Sequence, residues 1–359
     1  MASIILDFEQ PKECHSPVIS LMQAILQPEN NAKHNEWFLS NYINLYVNKV
    51  TCEDQFYSRR NFFVDCPFIQ MCVINMDQIE SLASSPITFF KKCLELGYYL
   101  YVVVKTGYIS AYDKDEFCDP NYSHNMLIYG FDDSDKVFYV ADHFSRNGLY
   151  SARVCTYDEL HVSLDVFKAN NPYYFNMVRA FRVVNAKYQF ELDPLVRRIK
   201  YHYNSKNLFD EHMQGLPDSC YDGHKNNIFD YVTYEKRKEE YVFGLNIYDY
   251  LITTIQDGSY LDPRSRLFQL LYMHKFFMVK RVNLLAEHNF LRDAPSLMDK
   301  AHQLLKMTEA LRNQYLKARI LSQKSDIVSN IDAKLLEKVQ KIHLQEKVFL
   351  EDLLESIVV

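Results

Sequence analysis

The chain has 359 residues, 48% of them hydrophobic and 24% charged, which excludes a disordered chain and allows one large domain or two of ordinary size. A formal charge of −6 gives no electrostatic reason to expect nucleic acid or an anionic membrane as partner, and only 8 glycines argue against a glycine-rich phosphate-binding fold. No apolar run approaches the roughly 20 residues of a membrane span, and the opening MASIILDFEQPKECHS lacks a positive leader, so the expected location is cytoplasmic.

A short strand is expected within Ser3–Phe8, followed by a polar loop. From Ser16 the apolar residues Val18, Leu21, Met22, Ile25 and Leu26 recur at helical spacing, with Pro17 suited to a first turn. Cys14 therefore falls at or just before a helix N-terminus, where partial positive charge favours thiolate over thiol. Residues 31–60, with the single tryptophan Trp37, suggest no chemistry. Asn61–Asn75 is apolar and β-prone, Met76–Leu96 reads as one helix stopped by Gly97, and Tyr98–Lys105 reads as a strand buried on both faces.

Next come a polar loop (Ser110–Ser123) and the stretch Ser123–Phe144, SHNMLIYGFDDSDKVFYVADHF. Two apolar runs flank a Gly-Phe-Asp-Asp-Ser-Asp turn, the signature of a β-hairpin. Pairing across that turn brings the far ends together, so His124 and Asp142 should be neighbours. A carboxylate beside an imidazole holds the base in one tautomer, although polar strand ends facing water would show the same spacing. His143 adjoins Asp142 but should face the other side of the strand, and His15 should be exposed at the helix start. Further strands are expected at Leu149–Val154 and Tyr173–Val184, with a helix over Thr156–Phe167. After a short helix (Phe190–Tyr201) and a polar stretch (Asn204–Asn227), helical spacing returns at Leu267–His288, Ser296–Leu321 and Ile331–Ile357. The fold class is therefore α+β, in three parts: 1–185, a linker or insertion over 186–262, and a helical region over 263–359. The eight cysteines show no Cys-x-x-Cys pair, and the acidic turn Asp132, Asp133 and Asp135 lacks the remaining ligands of a calcium loop, so no metal is expected.

The order Cys14 at a helix start, His124 at a strand start and Asp142 on the next strand resembles the papain-like cysteine protease fold in its compact bacterial form. The run His-Asn-Met-Leu-Ile-Tyr-Gly-Phe-Asp-Asp to Phe-Tyr-Val-Ala-Asp-His-Phe is similar to the butirosin-biosynthesis acyltransferase (BtrH-like) family, and the layout to the papain-like amide synthase of closthioamide biosynthesis. In architecture the resemblance covers about residues 1–185, with motif only at 13–22 and 122–144. It implies a transglutaminase-like acyltransferase of natural-product and nonribosomal-peptide biosynthesis. Cys14 would be the nucleophile, His124 the acid and base, and Asp142 its orienting residue. An acyl or peptidyl carrier protein would present the substrate as a phosphopantetheine thioester, a small amine would accept it, and no cofactor would be bound. Papain-like peptidases carry an oxyanion Gln several residues before the Cys, whereas here Gln10 lies four residues upstream. A cysteine peptidase or amidohydrolase with the same triad, and a non-catalytic carrier-protein-binding module, are the alternatives. Apolar C-terminal helices allow a homodimer.

Overall fold

A computed structural model describes residues 2–12, 16–52, 54–56, 62–114, 122–145, 149–170, 177–208, 238–262, 265–322 and 328–358. The fold is mixed α+β with antiparallel sheets. It has two compact units, one of residues 1–34 and 61–188 and the other of 35–60 and 189–359. The segment 35–60 groups with the C-terminal residues, not with the residues that flank it in the chain.

In the first unit, strands β1 (Ser3–Ile5), β4 (Ile69–Asn75), β5 (Tyr99–Lys105), β6 (Ser123–Asp132), β7 (Val137–Asp142), β8 (Ser151–Thr156) and β9 (Met177–Val183) form one sheet in the order β4-β9-β5-β6-β7-β8. Strand β1 continues the line of β5 along β6, pairing Ser3, Ile4 and Ile5 with Asp132, Phe131 and Gly130. A register shift between Ile128 and Gly130 absorbs Tyr129, whose ring stacks on Phe8 at 4.6 Å.

Helices α4 (Met76–Leu82), α5 (Pro86–Glu95) and α6 (Tyr157–Asn170) bury Ile79, Phe90, Leu94, Leu160 and Leu164 in one core with the sheet residues Leu100, Val102, Val104, Met126, Ile128 and Val140. The single helix expected over Met76–Leu96 is thus two helices. Ser85 is extended, its side chain accepts the Thr88 N–H at 3.2 Å, and Pro86 takes the first helical position, so a new helix starts there. Gly97 ends α5 at φ +80°, a conformation that costs glycine nothing. Thr156 and Glu159 cap α6 reciprocally: Thr156 Oγ1 accepts the Glu159 N–H at 3.2 Å, and Glu159 Oε2 accepts the Thr156 N–H at 2.8 Å. Helix α1 (Pro17–Leu26) begins as its spacing predicts, with Ser16 as N-cap accepting the Ile19 N–H at 3.4 Å; α2 (Ala32–Asn41) and the one-turn α3 (Phe62–Asp65) follow it in the chain.

The second unit contains a small sheet, β10 (Tyr241–Phe243) on β2 (Leu45–Asn48) on β3 (Asp54–Phe56), with helices α7 (Leu192–Tyr203), α8 (Ile247–Gln256), α9 (Leu267–Glu287), α10 (Ala294–Ser322) and α11 (Val328–Ser356). Helices α10 and α11 run antiparallel, joined by the Lys300–Asp352 ion pair at 2.7 Å and by a bridge from Leu291 to Ile357. At 29 residues each they are about 43 Å long, and their stripes Leu304, Leu311 and Leu335, Val339, Ile342 are buried. No helix among the described residues is long and apolar enough to cross a membrane.

Gly130 allows β1 to approach β6 closely, since a Cβ there would lie 2.5 Å from the Ile4 carbonyl oxygen and 3.0 Å from Ile5 Cα. Gly130→Ala should force β1 off β6 and destabilise the first unit by about 1–3 kcal/mol, read as a lower urea midpoint of the full chain.

Candidate active site

Strand alternation decides which side chains meet at the open end of β6 and β7. The register pairs Ile128 with Val140 and Leu127 with Ala141, so His124, Met126 and Ile128 share a face with Val140 and Asp142. That face is the one covered by α4, α5 and α6, because His124 also pairs with Val104 of their shared core. Each strand thus ends its core-facing apolar row in a polar residue. Asp142 lies diagonally across from His124, within reach of its ring.

His124 Nδ1 lies 2.5 Å from Asp142 Oδ2. The same oxygen accepts the Tyr112 hydroxyl at 2.5 Å, and Oδ1 accepts the His143 backbone N–H at 2.7 Å. Asp142 is wholly buried, whereas 19% of the His124 side chain remains exposed. Three donors on one enclosed carboxyl are what an ionised, acceptor-only group takes. Burial, with the charge of Asp142 beside it, pushes the Tyr112 hydroxyl well above its ordinary value, so it stays a donor. Donation from Nδ1–H to the carboxylate makes Nε2 the basic nitrogen of His124. Tyr122 stacks on the imidazole at 6.2 Å and 15°.

His143 parts from Asp142 and turns to the other side of the strand. Its Nε2 lies 3.4 Å from Ser20 Oγ, one turn into α1, and its ring meets Tyr150 edge-on at 5.4 Å. The first turn of α1 is thereby tethered to the residue that follows Asp142. Cys14 and His15 lie outside the described residues. Gln10 is exposed and lines a shallow recess with Gln23, Gln27 and Pro28, in the C-terminal half of α1 and away from its start.

Tyr112, Tyr122 and Ser20 carried no sequence signal. Tyr112 and Tyr122 fall in or beside a polar loop, and Ser20 is an ordinary helix residue until the fold brings it to His143. In the acidic turn, Asp133 pairs with Lys91 at 2.5 Å and Asp132 accepts the Ser134 N–H at 2.7 Å, so both carboxylates already have partners.

A second buried cluster lies in the other unit. His202, His274 and Glu346 present three ligand-type atoms within 4.8 Å of one another. The Lys275 ammonium already stands among them, 2.6 Å from Glu346 Oε1 and 2.9 Å from His274 Nδ1. The Tyr248 hydroxyl donates to Glu346 Oε2 at 2.5 Å, and His202 Nε2 lies 3.3 Å from Oε1. The groups that could hold a metal are thus arranged around a lysine cation, which a divalent ion would have to displace. Burial alone would raise Glu346, but the Lys275 charge and the His202 hydrogen bond outweigh it and hold the carboxyl down to about 2. Burial, aided by Lys275, pushes His274 well below its ordinary value; burial lowers His202 too, against the pull of Glu346.

No protein-family model and no curated protein matches this chain.

The cluster makes stability depend on pH. With both imidazoles depressed in the folded state, the unfolded chain gains protons first as pH falls through about 6.5, and the depressed Glu346 adds its loss below about 4.5. The second unit should therefore unfold at lower temperature at pH 5 than at pH 7.5 in a calorimetric scan. Lys275→Met should cost about 3–5 kcal/mol at neutral pH by leaving Glu346 unpaired, and Lys275→Met with Glu346→Gln should recover part of it.

Proposed function

We propose that the first unit is a papain-like cysteine acyltransferase that forms an amide from a carrier-protein thioester, with Cys14 as nucleophile, His124 as base and acid, and Asp142 orienting His124. The observation that carries this reading is the pair His124–Asp142 at the polar ends of two core-facing rows, with the helix that follows Cys14 in sequence tethered at Ser20 to residue 143. The imidazole keeps a solvent-accessible edge while its carboxylate is sealed, as a working acid–base pair requires.

In the first step the Cys14 thiolate attacks the carbonyl carbon of an acyl phosphopantetheine thioester. A new S–C bond forms, the old one breaks, and the pantetheine thiolate leaves with a proton from His124. The acyl-enzyme is itself a thioester, so the exchange is nearly isoenergetic and needs no nucleotide. In the second step an amine attacks the acyl carbon, His124 takes the proton from its nitrogen, and Cys14 leaves as thiolate. Amide formation from a thioester runs downhill, so the protein's task is to exclude water; the aromatic wall of Tyr112, Tyr122 and Phe144 suits it. The carrier protein and the amine are the partners this chemistry requires.

Intact mass spectrometry after mixing with an acyl-loaded carrier protein tests the proposal. An adduct of acyl mass is expected on the native chain and none on Cys14→Ser; an unmodified native chain would overturn it. With amine present, release of free acid alone would favour a hydrolase. Asp142→Asn should lower turnover roughly 100- to 10,000-fold with unchanged circular dichroism.

A further inference from the structure

His143 touches both halves of the candidate site. Its backbone N–H donates to Asp142 Oδ1 at 2.7 Å, and its ring Nε2 lies 3.4 Å from Ser20 Oγ on α1. The main chain beside it is fixed, since the Phe144 carbonyl accepts the Asp113 N–H at 2.9 Å. The ring also meets Tyr150 edge-on at 5.4 Å, and Phe8 lies against Tyr150 at 6.4 Å. Phe8 precedes Cys14 in the chain and Ser20 follows it. The segments on either side of the nucleophile in sequence are thus both held at one imidazole, Ser20 directly and Phe8 through Tyr150.

Ser20 marks this contact as more than packing. Helix α1 buries itself through apolar side chains such as Leu21, Met22, Ala24 and Ile25, yet Ser20 is as deeply enclosed as they are. Serine is a poorer helix former than alanine, and a buried hydroxyl without a partner is costly. Among the described residues that hydroxyl has one partner, the His143 ring.

We propose that His143 is a positioning residue: its backbone holds the acid of the pair and its ring holds the helix that follows Cys14, so one residue sets thiol and imidazole in register. The inference rests on the reading of Cys14 as nucleophile and His124 as base. A misplacement of about 1 Å between reacting groups can cost on the order of 100-fold in rate, so a fixed link between the two elements has a direct use.

The test needs no acyl donor. 1,3-Dibromoacetone alkylates a thiolate with one arm, losing bromide, and its second arm then bridges only to a nucleophile held alongside. Peptide mapping by mass spectrometry gives the ratio of chains bridged from Cys14 to His124 over chains singly alkylated at Cys14. That ratio does not depend on how fast the thiol reacts. In the native full chain the bridge should predominate. Ser20→Ala, a change that favours the helix, should lower the ratio roughly 3- to 10-fold with unchanged circular dichroism, and His143→Leu by at least as much. His143→Gln keeps a polar group that can meet Ser20 and should restore it. An unchanged ratio in Ser20→Ala overturns the inference, as does a loss in His143→Gln as deep as in His143→Leu. If His143→Leu does not fold, Ser20→Ala decides alone. A native chain alkylated at Cys14 but never bridged would instead sink the pairing of Cys14 with His124, and the inference with it.

Discussion

A carboxylate cut off from water is tolerated only when donors fill its lone pairs, and Asp142 imposes that condition on the first unit. Its donors come from three places: a ring at the start of β6, a hydroxyl in the loop after β5, and the backbone just past β7. Each must be correctly placed for the others to be useful, because a carboxylate left partly bare in a core costs several kcal/mol. The geometry of the candidate site and the packing of the sheet end are therefore one problem, solved together. Only the imidazole reaches outward.

The second unit solves the same problem with similar residues and a different outcome. Glu346 is filled by Tyr248, Lys275 and His202, drawn from helices α8, α9 and α7. Nothing in that cluster faces solvent: both imidazoles, the lysine and the carboxylate are buried. Composition alone would make it the richer catalytic candidate, with two histidines and an amine. Access separates the two. A sealed network of this kind fixes which helices pack together and in what register, whereas one exposed ring edge can exchange protons with a bound molecule.

Much of this was legible in the chain. Two apolar runs around a polar turn predict the hairpin and the approach of its far ends. An unbroken period of two from the Asp132–Val137 pair would, however, put His124 on the face of His143; the register shift at Tyr129, which has no signal in the sequence, brings it to the face of Asp142. The helical spacing after Ser16 and from Leu267 onward located α1 and the long helices to within a few residues. What failed has physical causes. Ser85-Pro86 divides an apolar run whose periodicity is continuous, so capping chemistry outweighed the pattern. The strands β2, β3 and β10 are only three or four residues long, and β10, which pairs with β2, is remote from it in sequence, which leaves no local signature of the sheet. For the same reason no reading of residues 35–60 in isolation could assign them to the C-terminal unit.

The two tethers at the end of β7 differ greatly in the length of chain they close. His124 and Asp142 are 18 residues apart, Ser20 and His143 are 123. Closing the longer loop costs on the order of 2 kcal/mol more in chain entropy. The hairpin can therefore form as a local event, while the docking of α1 must wait for distant parts of the chain to converge. A nascent or partly folded molecule would carry its imidazole and carboxylate side by side well before the first helix arrived, so completion of the constellation would report that the whole unit had folded.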